Sequence, residues 1–378
     1  MNTTSSARGA GVSLEPSDFE VMIGESVERL FSDHVDVSLL RSTGAEQWPA
    51  DLWKLIDDAG LPLALCGAEE GGSEVQWSDV YPVLAGIGRW SVPLPLAETM
   101  IAAFLLSRAG KPVPKGPITI AEAGQATGVV GAEGKISGVL HGVAWATACG
   151  YALVPVTCAS GSRALALISL SDAGVRVVPG ANMAGEPRDQ LRLDGVAADA
   201  LFDNPLPALE HPLLVLGAMA RSAMLVGALE RALEMTVQYT TERVQFGKPL
   251  SKNQVIQHGL AVSASEMVAA KVATRVAFAS LEAELQARTT TFDVAVAKVR
   301  AGQAASRLAA VAHQFHGAIG FTQEHGLHHT TLRLWSWRQE FGGDATWARA
   351  LGRAAIAQGA EAFWPSMTER SLQPVVQG

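Results

Sequence analysis

The sequence predicts an α+β fold, mainly α. An N-terminal helical domain (1–112) comes first, then a middle antiparallel β-domain (113–207) and a C-terminal four-helix bundle (208–378). Three observations predict it. Apolar residues recur at helical spacing as far as about Lys111, and again from His211 onward. Between those limits the segments are short, β-branched and punctuated by glycine. Prolines mark both changes of pattern, at Pro112 and Pro114 and then at Pro205 and Pro207. With 378 residues, 48% of them hydrophobic, the chain is long enough to build several buried cores.

In the first part, Ser17-Asp18-Phe19-Glu20 has capping-box spacing: the serine caps a backbone N–H and Glu20 reaches back. Phe19, Met22, Ile23, Val27, Leu30 and Phe31 follow as one apolar stripe. Trp48, Leu52, Leu55, Ile56 and Ala59 form a second, stopped by Gly60. After the turn Gly67–Ser73, a third helix is expected near Ser78–Arg89 and a fourth over Thr99–Ala109. In the middle part, Ile118–Ala121, Tyr151–Thr157, Ala164–Leu170, Val175–Val178 and Gln190–Leu193 read as strands. In the last part, Leu225, Leu229, Leu233 and Val237 repeat every four residues, with Met219 and Val226 widening the stripe. Val255–Ala287 has no proline and no glycine after Gly259; Leu308, Val311 and Phe315 mark a third helix, and Leu332–Gln358 a fourth. Four long helices with short connections make a bundle.

A net charge of −8 with no basic run argues against nucleic acid or anionic membrane as the main partner. Cys66, Cys149 and Cys158 lack CxxC spacing and read as reduced thiols, with no metal or disulfide role. Met1–Val12 has no apolar signal core and no apolar run approaches a membrane span, so a cytoplasmic protein is expected.

Four stretches carry candidate chemistry. In Glu242–His258, Arg243 closes a helix, Gly247 serves as its C′ residue and Pro249 prevents continuation. The guanidinium suits a bidentate phosphate contact, with Gln245, Asn253 and Gln254 as hydrogen-bonding neighbours and Phe246 to pack on a ring. A capped helix end with a solvated arginine accounts for the same residues. In Gln314–Thr322 a helix ends in Gly317, Ala318 and Gly320, where backbone N–H groups can approach a ligand closely; an ordinary glycine-rich stop is the alternative. His313, His316, His325, His328 and His329 lack the acidic or cysteine partners of a metal site. Trp145-Ala146-Thr147 would set an indole and a hydroxyl on outward positions of one strand, unless the tryptophan is simply core.

Together, in this order and spacing, these stretches resemble the acyl-CoA dehydrogenase family over nearly the whole chain. Arg243-Val244-Gln245-Phe246-Gly247-Lys248, with Gln254, matches the family's Arg-x-x-Phe-Gly-Lys corner, and Gln314–Thr322 its Gln-x-x-Gly-Gly-x-Gly-Phe stretch with Ala318 in place of a glycine. Trp145-Ala146-Thr147 resembles Trp-Ile-Thr. Leu52–Gly60 with Glu69-Glu70-Gly71-Gly72 resembles the family's N-terminal domain. The resemblance implies FAD, an acyl-CoA substrate, a homo- or heterotetramer and an electron-transfer acceptor. It places the flavin ring near Trp145 and Thr147. The adenine end belongs to a neighbouring subunit's Arg243, Gln245, Phe246, Leu250, Gln314 and Gly317, with Gln254 following.

The family reaction removes an α-proton with a carboxylate while the β-hydrogen leaves as hydride. The usual glutamate position falls at Gly342 and a second family position near Gly217; both lack a carboxylate. Glu340 is the candidate base, with Asp344 the other near carboxylate. Ala121-Glu122-Ala123-Gly124 also departs from the family's Thr-Glu-Pro and its Gly-Ser-Asp loop. These departures, with Val92-Pro93-Leu94-Pro95-Leu96, resemble the subfamily that forms α2β2 heterotetramers in bacterial breakdown of steroid and other bulky acyl-CoA. Three readings stay open: an acyl-CoA dehydrogenase subunit, a base-lacking structural partner of an active paralogue, and a flavin monooxygenase or oxidase on the same fold.

Overall fold

The computed structural model describes residues 14–43, 47–122, 128–131, 134–284 and 290–375. The helix α1 (Asp18–His34) starts where expected: Ser17 Oγ accepts from the Glu20 N–H at 2.9 Å. Glu20 does not complete the box. Its carboxylate instead takes both Nη groups of Arg275 at 2.6 and 3.0 Å, across the domain boundary. After α2 (Val37–Ser42) come α3 (Ala50–Asp58), α4 (Trp77–Trp90) and α5 (Leu96–Arg108). Nearly every side chain of α5 is buried, because helices and sheet cover it on all sides.

The middle part is an eight-stranded sheet. Its path runs β6 (Val175–Val178), β7 (Arg188–Val196), β3 (Ile136–Ala144), β2 (Gly128–Val130), β4 (Tyr151–Thr157), β5 (Arg163–Ser169) and β8 (Ala200–Phe202), with β1 (Ile118–Ile120) on β4. Most pairs are antiparallel, as expected, but β4 runs parallel to both β1 and β2. Residues 123–127, which include Ala123 and Gly124 of the departing loop, lie outside the described residues.

The last part is built on three long helices, α6 (Pro212–Glu242), α7 (Gln254–Glu284) and α8 (Thr290–His316). Contrary to expectation, α6 is long and apolar enough to cross a membrane, but its apolar window is wholly buried against other helices. A core position explains that composition. Its fit against α4 depends on two glycines. A Cβ on Gly88 would lie 1.8 Å from the Met224 carbonyl oxygen, and one on Gly227 1.8 Å from that of Ala85, so the backbones touch at this crossing.

The expected single helix over Leu332–Gln358 is two helices. They are α9 (Gly326–Trp337) and α10 (Asp344–Gln358), followed by α11 (Ala360–Thr368). The break comes from Phe341 (φ +53°) and Gly342 (φ +79°), consecutive left-handed residues that no α-helix accommodates.

Candidate functional site

The corner after α6 is a hairpin. Arg243 is the C-cap in an extended conformation, and β9 (Val244–Gln245) pairs with β10 (Lys248–Pro249). Phe246 (φ +51°) and Gly247 (φ +78°) form the two-residue turn, the left-handed pair that a tight hairpin requires. Gly247 is therefore a hairpin residue, and the expected C′ role falls away. The Leu250 N–H returns to the Arg243 carbonyl at 2.9 Å and closes the corner. Arg243, Gln245 and Gln254 are exposed, Phe246 is fully exposed and Leu250 is half-buried. Among the described residues no carboxylate pairs with Arg243.

The second stretch sits at the same end of the bundle. The His316 ring stacks on Tyr239 of α6, one turn before Arg243, at 4.4 Å between centroids. That stack carries the end of α8 to the corner. Gln314 and Gly317 are exposed there; Gly317 (φ +64°) opens a 3-10 turn, Gly317–Phe321, and nothing stands where its Cβ would be. Arg243, Gln245, Phe246, Gln314 and Gly317 thus form an exposed cationic, aromatic and amide surface with a bare backbone. That chemistry fits an adenine diphosphate arriving from outside the chain.

The neighbouring histidines are structural. His313 Nε2 meets Thr331 Oγ1 at 2.8 Å, His316 Nδ1 donates to the Ala312 carbonyl at 2.8 Å, and His325 Nδ1 caps α9 by accepting from the Leu327 N–H. Burial lowers the pKa of all three. No group of potential metal ligands exists among the described residues.

The ring end does not fit in the same way. Trp145 lies beyond the end of β3, at φ +55°, and Thr147 lies on a 3-10 turn, so neither occupies the expected strand. The Trp145 indole is only 4% exposed and meets Trp48 edge-on at 6.1 Å. It has no free face to offer a flavin. The Thr147 N–H is committed to Asp189 Oδ2 at 2.9 Å, and Ala121 supplies no hydroxyl. Among the described residues the exposed corner suits the adenine half of FAD, whereas the buried Trp145 does not suit its ring; Thr147 is exposed.

Glu340 also needs correcting as the base. Arg188 clamps it with Nε on Oε1 at 2.8 Å and Nη2 on Oε2 at 2.9 Å, and Arg221 Nε adds a contact to Oε2 at 2.6 Å. Burial alone would raise its pKa, but the two guanidiniums win and hold the carboxyl far below the ordinary range. A carboxylate stabilised in that way does not take up a proton near neutrality. The cluster extends further: Arg221 reaches Glu98 on α5, Arg188 reaches Glu186, and Glu186 accepts from Arg333 Nε at 3.0 Å and Trp337 Nε1 at 2.8 Å. Three arginines face three glutamates, and together they tie α5, α6, β7 and α9. Asp344 accepts from Arg338 Nη2 at 3.0 Å and is likewise engaged.

Aromatic side chains crowd both family base positions: a Cβ on Gly342 would fall 2.7 Å from Trp347 Nε1. A Cβ on Gly217 would fall 2.2 Å from the Phe341 ring, and Arg221 lies over the same ring with Cζ 5.3 Å from its centroid. Phe341 fills the space that a carboxylate at Gly217 would need. Sequence reasoning missed Glu98, Glu186, Arg188, Arg221 and Arg333. One signal was present: Arg221 is the only charge between Pro212 and Leu229, in an otherwise apolar helix.

The model of the acyl-CoA dehydrogenase C-terminal domain matches residues 211–355. Acyl-CoA dehydrogenase IpdE2 of Mycobacterium tuberculosis is 26% identical over 327 residues, 83% of this chain and 90% of the relative. Acyl-CoA dehydrogenase FadE27 of the same organism is 28% identical over 331 residues, 82% of this chain and 88% of the relative. The crystal structure of the ChsE4–ChsE5 complex from Mycobacterium tuberculosis matches with a TM-score of 0.83 at 22% identity, covering 92% of this chain and 100% of that one. A variant of the Tcur3481–Tcur3483 steroid ACAD matches at 0.80 and 26% identity, covering 90% and 98%.

Proposed function

We propose that this chain, a member of the acyl-CoA dehydrogenase family, acts as the base-lacking subunit of a heteromeric, FAD-dependent acyl-CoA dehydrogenase. The family reaction is acyl-CoA dehydrogenation, and FAD, when bound, supplies the hydride acceptor. In the proposed assembly a related chain provides the ring site and the α-proton acceptor. This chain provides the adenine end.

One observation carries the reading. Gly217 and Gly342 stand at both base positions, Phe341 occupies the space beside Gly217, and the candidate carboxylate, Glu340, is fixed between two arginines. The remaining residues still have work to do. Arg243 would take the pyrophosphate bidentately, Phe246 would lie on the adenine, and Gln245, Gln254 and Gln314 would hydrogen-bond around them. Gly317 lets the backbone approach, and Leu250 supports the ring edge. The relatives IpdE2 and FadE27 support acyl-CoA dehydrogenation, and the steroid ACAD with two named chains supports a heteromeric assembly acting on a bulky acyl-CoA. The electrons would leave through an electron-transfer protein.

The test is made on the assembly with the related chain. Phe246→Ala and Arg243→Ala should leave folding unchanged, because both side chains are exposed, and should strip flavin from the complex. Full flavin retention in the double variant would remove the corner from the site.

A further inference from the structure

The turn between α9 and α10 is more than a helix break. Its two left-handed residues aim successive backbone N–H groups the same way, and both end on one carboxylate. Phe341 N–H donates to Glu122 Oε2 at 3.0 Å, and Gly342 N–H donates to Oε1 at 2.9 Å. Successive convergent N–H groups form an anion-binding nest. A pair of convergent N–H donors is also what stabilises the oxygen of an enolising carbonyl. Here the oxygen belongs to the chain itself, delivered from the end of β1.

The surroundings are built to keep it there. Lys298, fully buried on α8, donates to the Arg338 carbonyl at 2.8 Å and so pins the other end of the same turn. Burial lowers the ammonium to about 7, against the pull of Glu122. Burial raises Glu122, and the two N–H donors oppose that rise. Phe341, held from its backbone by Glu122, is the ring seated against Gly217.

We propose that Glu122 is the resident anion of this nest, and that by filling it Glu122 denies the chain's own turn the carbonyl oxygen of an acyl thioester. The nest would accept a small carboxylate in its place. The consequence for the thioester rests on the reading of the chain as the base-lacking subunit; the nest and its exchangeable anion do not.

The test uses the full chain and needs neither flavin nor partner, so its failure is distinct from failure of the functional reading. Glu122→Ala should melt several degrees below wild type in chloride. Formate or acetate should restore the loss along a saturating curve at matched ionic strength, while wild type should not respond. Equal response of the variant to chloride and formate, or no loss on substitution, would overturn the proposal. Should Glu122→Ala fail to fold, Glu122→Gln keeps the shape and removes one acceptor. Amide exchange at Phe341 and Gly342 should then accelerate while α7 keeps its protection. Unchanged exchange at both amides would count against the nest.

Discussion

Replacing Glu340 with glutamine separates a buried structural charge from a catalytic one. In wild type, Glu340 balances Arg188 and Arg221 in a cluster of three arginines and three glutamates; the substitution leaves two glutamates against three arginines. Removing one partner of a buried pair costs about 3–5 kcal/mol, because a cation is left without its anion. For a cooperative unit the size of the bundle, each kcal/mol lowers Tm by roughly 2–4 °C, so a drop of roughly 6–20 °C is expected. Circular dichroism melts of Glu340→Gln, Arg221→Met and the double variant measure it. The double variant should lose less than the sum of the singles, since the two side chains share hydrogen bonds. The pH dependence has a definite sign. A carboxyl held low contributes stability above its unfolded value, near 4.3, and loses it only as pH falls through the folded value. The Glu340 contribution should therefore persist down to strongly acid solution. A Glu340→Gln variant of wild-type stability that nonetheless abolishes flavin reduction by acyl-CoA in the assembly would show that Glu340 is the base after all.

Three further outcomes follow from the geometry. Gly217→Ala places a Cβ against the Phe341 ring, and overpacking there should cost about 1–3 kcal/mol in urea unfolding; a stability equal to wild type would mean the ring is not seated where it stands. His211, His313, His316, His325 and His329 all have a folded pKa lowered by burial. Their neutral forms stabilise the fold above the unfolded value, near 6.5, so Tm should decline as pH falls from about 6.5 to 5, and a flat profile would contradict this. Lys298 sits at about 7 in the folded chain, so the unfolded chain binds the extra proton above that pH. Stability should rise from about pH 7 to 8.5, below the thiol range, and Lys298→Met should abolish the rise.

Much of the fold was legible because local patterns and tertiary structure agree. The stripes are buried at Val27 and Phe31 and at Leu225 and Leu229, while their ends at Phe19, Met22 and Val237 are exposed, and the glycine-punctuated middle is a sheet. The corner was legible as a cation, a ring and two amides in one connection, although its hairpin geometry was not. Where reasoning went astray, the cause was long-range. Trp145 reads as a strand residue until Trp48, far away in sequence, covers it. Glu340 reads as the nearest available carboxylate until Arg188 and Arg221 arrive from two other elements. The break at Phe341–Gly342 was hidden because an apolar period continues on both sides of it. A helical period records which faces are buried and carries no record of which charges meet inside.

Flavin content and flavin reduction, measured on the chain alone and beside a co-expressed related chain, test the division of labour most directly. The chain alone should be colourless and inert toward acyl-CoA. The co-purified pair should be yellow, with one flavin for each pair of chains, and should bleach when an acyl-CoA is added. A solitary chain that carries one flavin per molecule and bleaches with acyl-CoA would contradict the assignment.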